Sequence, residues 1–180
     1  MKQYSEKINK EMTIRAGETY FRRSLTQPFC KGNGIDIGSQ GSPVNPDSIQ
    51  IEYDRNRFDL DVPIQWEGDG TKNLPFKNNV LDYVYSSHLL EDYIDWVPIL
   101  SEWNRVLKCG GYIVIMVPDK NLFRDRVRNG QPDNPNHHHE SHPGELTKYY
   151  HQYFKNFTVV KDEITDGYNI LFVAKKDYEI

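Results

Sequence analysis

Apolar and polar positions along the chain follow two rhythms. Over residues 1–31 the spacing is helical, with one amphipathic stretch at roughly 5–12. A second spans roughly 18–25, where Tyr20, Phe21 and Leu25 fall near one face. Short apolar runs ended by Gly or Asp then take over. These lie at 33–37, at 48–53 (where Ile49, Ile51 and Tyr53 alternate), at 62–66, at 80–85 and at 112–117. The last is apolar at every position, as expected of a strand covered on both faces. Between the last two runs the helical period returns. Asp95 is a natural N-cap, and Pro98 falls in the first turn, where a missing N–H costs nothing. Leu100, Trp103, Asn104 and Leu107 follow at helical spacing, Lys108 stands in the last turn, and Gly110-Gly111 stop the helix. Strand, helix, stop and strand make one βαβ unit, so the sheet is parallel there. Leu146, Tyr149, Tyr150, Tyr153 and Phe154 mark a further helix. Runs at 157–160 and 170–174 flank Asp166-Gly167, a hairpin-turn signal. The pattern predicts an α/β domain whose mostly parallel sheet closes with an antiparallel hairpin.

Composition narrows what such a domain does. The 180 residues suit one domain with a real core, and 13% aromatics supply bulk that a disordered chain lacks. A net charge of −4 argues against a sequence-independent grip on nucleic acid, which needs a basic face, but allows a small ligand. Two cysteines, Cys30 and Cys109, are too few for a disulfide scaffold or a four-thiolate zinc site. The first residues lack the apolar core of a signal peptide, and 112–118 is far short of the ~20 residues that cross a bilayer. The expectation is a soluble cytoplasmic domain without membrane or nucleic-acid partners.

The candidate chemistry gathers after the strands. The first ends in Gly34-Ile-Asp36-Ile-Gly38-Ser-Gln-Gly41. Glycines there either form a plain turn or let the backbone approach a ligand and offer it N–H groups. This is not the dinucleotide fingerprint, because Asp36 stands where that loop needs a glycine, and the two prolines of 42–47 forbid a long following helix. Glu52, ending the second strand, is either an exposed carboxylate or an acceptor for the hydroxyls of an adenosine ribose. Asp69-Gly70 follow the third strand, where a carboxylate can accept from an adenine amine. Ser86-Ser87-His88 end the fourth. All four clusters fall at carboxyl ends of parallel strands, where open α/β sheets bind ligands.

Together these segments resemble the class I S-adenosylmethionine-dependent methyltransferases, and within them the small type 11 methyltransferase domains. The likeness covers roughly residues 33–119. It rests on Gly34-Ile-Asp-Ile-Gly, Gly68-Asp-Gly-Thr, Leu74-Pro-Phe, Leu81-Asp-Tyr-Val-Tyr-Ser-Ser-His-Leu-Leu-Glu, Glu102-Trp-Asn-Arg-Val-Leu-Lys-Cys-Gly-Gly and Val117-Pro-Asp. The resemblance implies a Rossmann-like, doubly wound seven-stranded sheet and S-adenosylmethionine as cofactor. It implies that Gly38, with its neighbours Ser39 and Gln40, contacts the methionine end, that Glu52 takes the ribose, and that Asp69 with Gly70 takes the adenine. Asp36 would order the glycine loop and Ser86 would border the sulfonium. Residues 1–31 would form a helical cap, 32–119 the cofactor-binding core, and 120–180 an acceptor-side loop, helix and hairpin. The chain departs from the family in three ways. Only ten residues separate Gly38 from Ile49, so the first helix is missing or reduced to a turn. Eight separate Tyr53 from Val62, and Asp92 and Cys109 stand where relatives usually carry His and Pro. The short connections imply a leaner, more open pocket.

The expected activity is methyl transfer to a small-molecule or glycan-type acceptor, with a catalytically weak binding or regulatory subunit as the alternative. A hydroxyl acceptor needs a base. His88 is the first candidate, against a capping role, and Asp119 the second. His137, His138, His139 and His142 read as a solvated, substrate-facing loop rather than a metal site, because one loop rarely converges enough ligands. Tyr149, Tyr150, Tyr153 and Trp103 read as packing residues.

Overall fold

The computed structural model describes residues 17–54, 64–139 and 141–178. The expected helix near 5–12 and the first residues of the 62–66 run lie outside them. Helix α1 (Gly17–Thr26) precedes β1 (Gly34–Ile37), β2 (Ile49–Glu52), β3 (Trp66–Glu67) and β4 (Leu81–Ser87). Helix α2 (Val97–Val106), β5 (Leu107–Pro118), α3 (Lys120–Arg128) and α4 (Glu145–Tyr153) follow, and β6 (Phe157–Thr165) and β7 (Asn169–Lys176) close the chain. The seven strands lie in the order β3-β2-β1-β4-β5-β7-β6. Pairing is parallel from β3 through β5; β7 runs antiparallel to both β5 and β6, so it alone opposes the other six. This is the sheet the pattern predicts. Asp166 and Gly167 both take positive φ in the β6–β7 turn, as a tight hairpin of right-handed twist requires.

Each face of the sheet has its own core. On one, Ile35, Ile37, Val84, Ile113, Ile115 and Phe172 pack under Leu100, Trp103 and Val106 of α2 and Leu146 and Tyr150 of α4. On the other, Tyr83, Tyr85, Val114, Met116 and Val173 lie beneath Cys30 and Val44. Residues 112–117 are central to both clusters, which explains their unbroken apolar run. Gly34 belongs to this packing rather than to a ligand loop. It starts β1, and a Cβ there would lie 2.4 Å from the Tyr83 ring.

Helix α2 begins one residue later than expected, with Trp96 rather than Asp95 as its N-cap, although Asp95 Oδ1 accepts from Val97 N at 3.0 Å. It ends earlier than expected. Leu107 already belongs to β5, and Gly110-Gly111 lie inside that strand's span instead of stopping the helix. The cause is tertiary. Lys176 of β7 donates to Asn104 O (2.9 Å) and Leu107 O (2.7 Å), satisfying carbonyls a helix end leaves open, while Leu107 pairs with Leu81. Gly111 is required for a different reason, since a Cβ would sit 2.8 Å from Asp82 O. The Leu74-Pro-Phe76 segment is fixed by α2. Leu74 N donates to Glu102, and Arg105 donates to the carbonyls of Leu74 and Phe76.

Two expectations fail at the edges of the fold. Strand β3 is only Trp66–Glu67, beyond most of the predicted run, and Leu25 of α1 is exposed while Thr19 and Thr26 are buried. Between β1 and β2 there is no helix, as the short spacing requires. Ser42, Pro43, Val44 and Ser48 are instead buried, and hydrogen bonds hold this segment in place. Arg23 of α1 donates to Ser42 Oγ and Pro43 O, Gln27 donates to Val44 O, and Ser48 Oγ meets the Tyr83 hydroxyl at 2.8 Å.

Candidate functional site

Strand order reverses at β1, which has β2 on one side and β4 on the other. Chains leaving the carboxyl ends on either side of such a point diverge and leave a crevice. Here the crevice is a cleft of ≈ 370 Å³ walled by the segments after β1, β2, β3 and β4. That volume lies in the range of small-molecule sites.

After β1 the backbone turns at Gly38, whose φ of +76° favours glycine and whose absent Cβ leaves space empty as far as Leu89 at 4.0 Å. Gly38 N donates to Ile51 O, and the turn presents Gln40, also at positive φ, to the cleft. At the end of β2, Glu52 is 4% exposed and lines the cleft. Its Oε1 accepts from Ser39 Oγ (2.8 Å) and from Gln40 N (2.5 Å). After β3, Asp69 Oδ1 accepts from Thr71 N and Oγ1, and Oδ2 lies 2.9 Å from Lys72 Nζ. Burial works to raise the pKa of Asp69, but the bonds from Thr71 and Lys72 win and hold its carboxyl below the usual carboxylate range. Gly70 beside it is a packing necessity, because a Cβ would lie 2.2 Å from Ile37 Cγ2. Its carbonyl accepts from Trp103 Nε1 at 2.8 Å, tying the cleft floor to α2.

Of the ten residues singled out from sequence, Gly38, Gln40, Glu52, Asp69, Gly70 and His88 meet on the cleft wall. Asp36, Ser39, Ser86 and Asp119 do not line it. Ser86 is buried with Oγ 3.3 Å from Ile37 O. Asp36 lies beneath the loop, 1% exposed, where its Oδ2 accepts from Val44 N at 2.6 Å. Burial, reinforced by the nearby Glu52 charge, pushes its pKa up to about 8. Asp119 is the N-cap of α3 and accepts from Leu122 N at 3.0 Å. His88 lines the cleft with its ring turned inward. Nδ1 is 3.2 Å from Glu91 Oε1, and Nε2 is buried.

Sequence reasoning gave no site role to Tyr53, Thr71, Leu89 and Tyr93, which also line the wall, as do Ile37, Ile51 and Asp54, and noticed Asp92 only as a departure. Tyr93 is half-buried; desolvation raises its hydroxyl pKa, with the Asp69 charge adding. The available signal was position, since Leu89–Tyr93 directly follow β4.

Most of the histidine loop is exposed as expected, but two of its four histidines pack against the protein. His137 packs on Phe123 at 4.5 Å with Nε2 3.9 Å from Glu91 Oε1, while His139 stacks on Trp96 at 3.9 Å and meets Glu145 Oε1 at 2.6 Å. That hydrogen bond raises the His139 pKa. Only His138 and His142 of the four are exposed. Among the described residues no three His, Cys, Asp or Glu are gathered to hold a metal ion, and no helix is long and apolar enough to cross a membrane.

The cleft offers carboxylate acceptors at the ends of β2 and β3 and open space over Gly38. The family model described as a methyltransferase domain matches residues 16–115, more than half of the chain. The protein therefore belongs to that family, the S-adenosylmethionine-dependent methyltransferases of class I, and its cofactor is S-adenosylmethionine. A demethylmenaquinone methyltransferase of Staphylococcus saprophyticus is 28% identical over 124 residues, 64% of this chain and 51% of that protein. The chain thus spans about half the length of that curated relative. Among solved structures, a SAM-dependent methyltransferase of Archaeoglobus fulgidus superposes with a TM-score of 0.66 at 16% identity, covering 88% of this chain and 95% of that one. One of Thermotoga maritima does so with 0.64 at 19%, covering 93% and 99%. At these identities the likeness shows the shared fold.

Proposed function

We propose that the protein transfers the methyl group of S-adenosylmethionine to a small organic acceptor, with a glycan-type acceptor as the second candidate. The observation that carries this reading is the convergence of Gly38, Glu52 and Asp69 on one cleft at the β1–β4 switch point. Glu52 would accept from the ribose hydroxyls, Asp69 from the adenine amine, and the Gly38–Gln40 turn would hold the methionine end. The bound cofactor supplies a methyl carbon on a positively charged sulfur. The name of the curated relative, a methyltransferase of a demethylmenaquinone, supports the small-molecule class.

Methyl transfer is an in-line displacement, so the protein's work is to align the acceptor and exclude water. Leu89, Tyr53 and Tyr93 give the open side of the cleft an apolar and aromatic wall suited to that task. His88 serves in this reading as part of the wall, because Nδ1 meets Glu91 Oε1 at 3.2 Å and Nε2 is buried. A thermal-shift titration with S-adenosylhomocysteine tests whether the protein takes up the reaction's product as a working methyltransferase must. At a hundred times its Kd the ligand adds about 2.7 kcal/mol to stability. With 1 kcal/mol worth roughly 2–4 °C in a domain of this size, Tm should rise by about 5–10 °C. No shift at millimolar ligand would overturn the proposal in favour of a methyltransferase-like binding subunit.

A further inference from the structure

The loop after β1 has no helix behind it, yet its turn is anchored from below. Ser39 Oγ lies 2.8 Å from Glu52 Oε1 and 2.8 Å from Gln50 Oε1, and accepts from Gly41 N at 3.3 Å. Gln40 N donates to the same Glu52 oxygen. Ser39, Gln50 and Glu52 are 5%, 3% and 4% exposed, so these bonds form away from water. Ser39 itself is absent from the cleft wall, which Gly38 and Gln40 on either side of it reach.

We propose that Ser39 is a positioning residue for cofactor binding: its hydroxyl fixes one oxygen of Glu52 and so aims that carboxylate at the ribose, without touching the cofactor. This rests on the reading of Glu52 as the ribose acceptor. A glutamate has several side-chain torsions, and each must be frozen before one carboxylate can hold two hydroxyls. A bond made in the empty protein freezes them in advance, which raises affinity without any new ligand contact. In a fold with a helix after the glycine turn, that helix would hold the loop. Here the Ser39–Glu52 bond joins the glycine turn to the end of β2 and fixes the acid, while Gly38 N on Ile51 O and Val44 N on Asp36 hold the loop without it.

Calorimetric titration of wild type, Ser39→Ala and Ser39→Thr with S-adenosylhomocysteine, and with its analogue lacking both ribose hydroxyls, tests this. Ser39→Ala should weaken S-adenosylhomocysteine binding by about five- to tenfold, less than a full hydrogen bond to a charged group because Gln40 N still holds the same Glu52 oxygen. Binding of the dideoxy analogue should change by less than about twofold, because the aim of Glu52 no longer matters to it. Ser39→Thr keeps the hydroxyl and should stay within about threefold of wild type. Equal losses for both ligands, or no loss for either, would overturn the proposal. If the alanine prevents folding, Ser39→Cys, whose thiol is only a weak donor, replaces it with the same expected loss and the same two-ligand comparison decides. Glu52→Ala separates the two levels. An unchanged affinity in Glu52→Ala would bring down the ribose reading, whereas a loss there with none in Ser39→Ala would bring down the latch alone.

Discussion

Strands β4 and β5 are joined by α2, which lays Ile99, Leu100, Trp103 and Val106 on the sheet, each at most 5% exposed. Strands β1 and β2 are joined by eleven residues without a helix (38–48), held by Asp36, Arg23, Gln27, Ser39 and Glu52 through hydrogen bonds. One connection is secured by non-directional burial, the other by directed polar contacts. The difference follows what each must do. Apolar packing sets where an element lies but leaves polar atoms out of it, whereas the wall of a polar cleft needs acceptors fixed in direction. The cost is buried polar groups that destabilise the protein unless every one stays partnered.

The comparison breaks most easily on its apolar side. Trp103→Ala should remove about 4 kcal/mol of stability by opening a cavity under α2. It should also lower cofactor affinity through the lost Nε1 bond to Gly70 O. Chemical denaturation reads the first effect and calorimetry the second; a stability loss below about 1 kcal/mol would mean that α2 does not anchor this half.

On the polar side the expected stability effect has the opposite sign. Asp36 keeps its proton up to about pH 8 in the folded protein but ionises near its ordinary value when unfolded. The folded state therefore binds more protons between those values. The contribution of Asp36 is fully present below about pH 4 and is lost progressively as pH rises toward 8. Asp36→Asn, which keeps an acceptor for Val44 N, should be more stable than wild type at pH 8.5, by on the order of 2–4 kcal/mol. The gap should close near pH 4. A difference that does not vary with pH would show that Asp36 is charged in the fold.

The smallest effects sharpen the comparison within β2. Glu52→Ala should weaken S-adenosylhomocysteine binding at least about tenfold, since hydrogen bonds to a charged group are worth roughly 1.5–3 kcal/mol each. Asp54→Ala, two residues further along the chain on the same cleft wall, should change it by less than about threefold. The reverse ranking would place the ribose beside Asp54 and end the pairing of latch and acceptor on one side chain.

Much of this protein was legible in residue order. The apolar run at 112–117, the Asp166-Gly167 turn and the Gly38–Ile49 spacing fixed a parallel sheet, a closing hairpin and a missing first helix, because hydrophobic period, turn conformation and chain length are local properties. The candidate cleft residues were legible as well, since strand ends in an open α/β sheet are where ligands bind. Only the tertiary structure decided how those residues divide. Asp36, Ser39 and Asp119 are, like Glu52, polar residues at strand ends, yet one supports the loop from below, one pins Glu52 and one caps a helix. It also ended α2 before its glycines, through Lys176 about 70 residues further along the chain, and folded His137 and His139 against Phe123 and Trp96. Residue type and spacing specify what a side chain can bond to. Which partner arrives is set by the packing of segments distant in sequence, and that is a property of the whole fold.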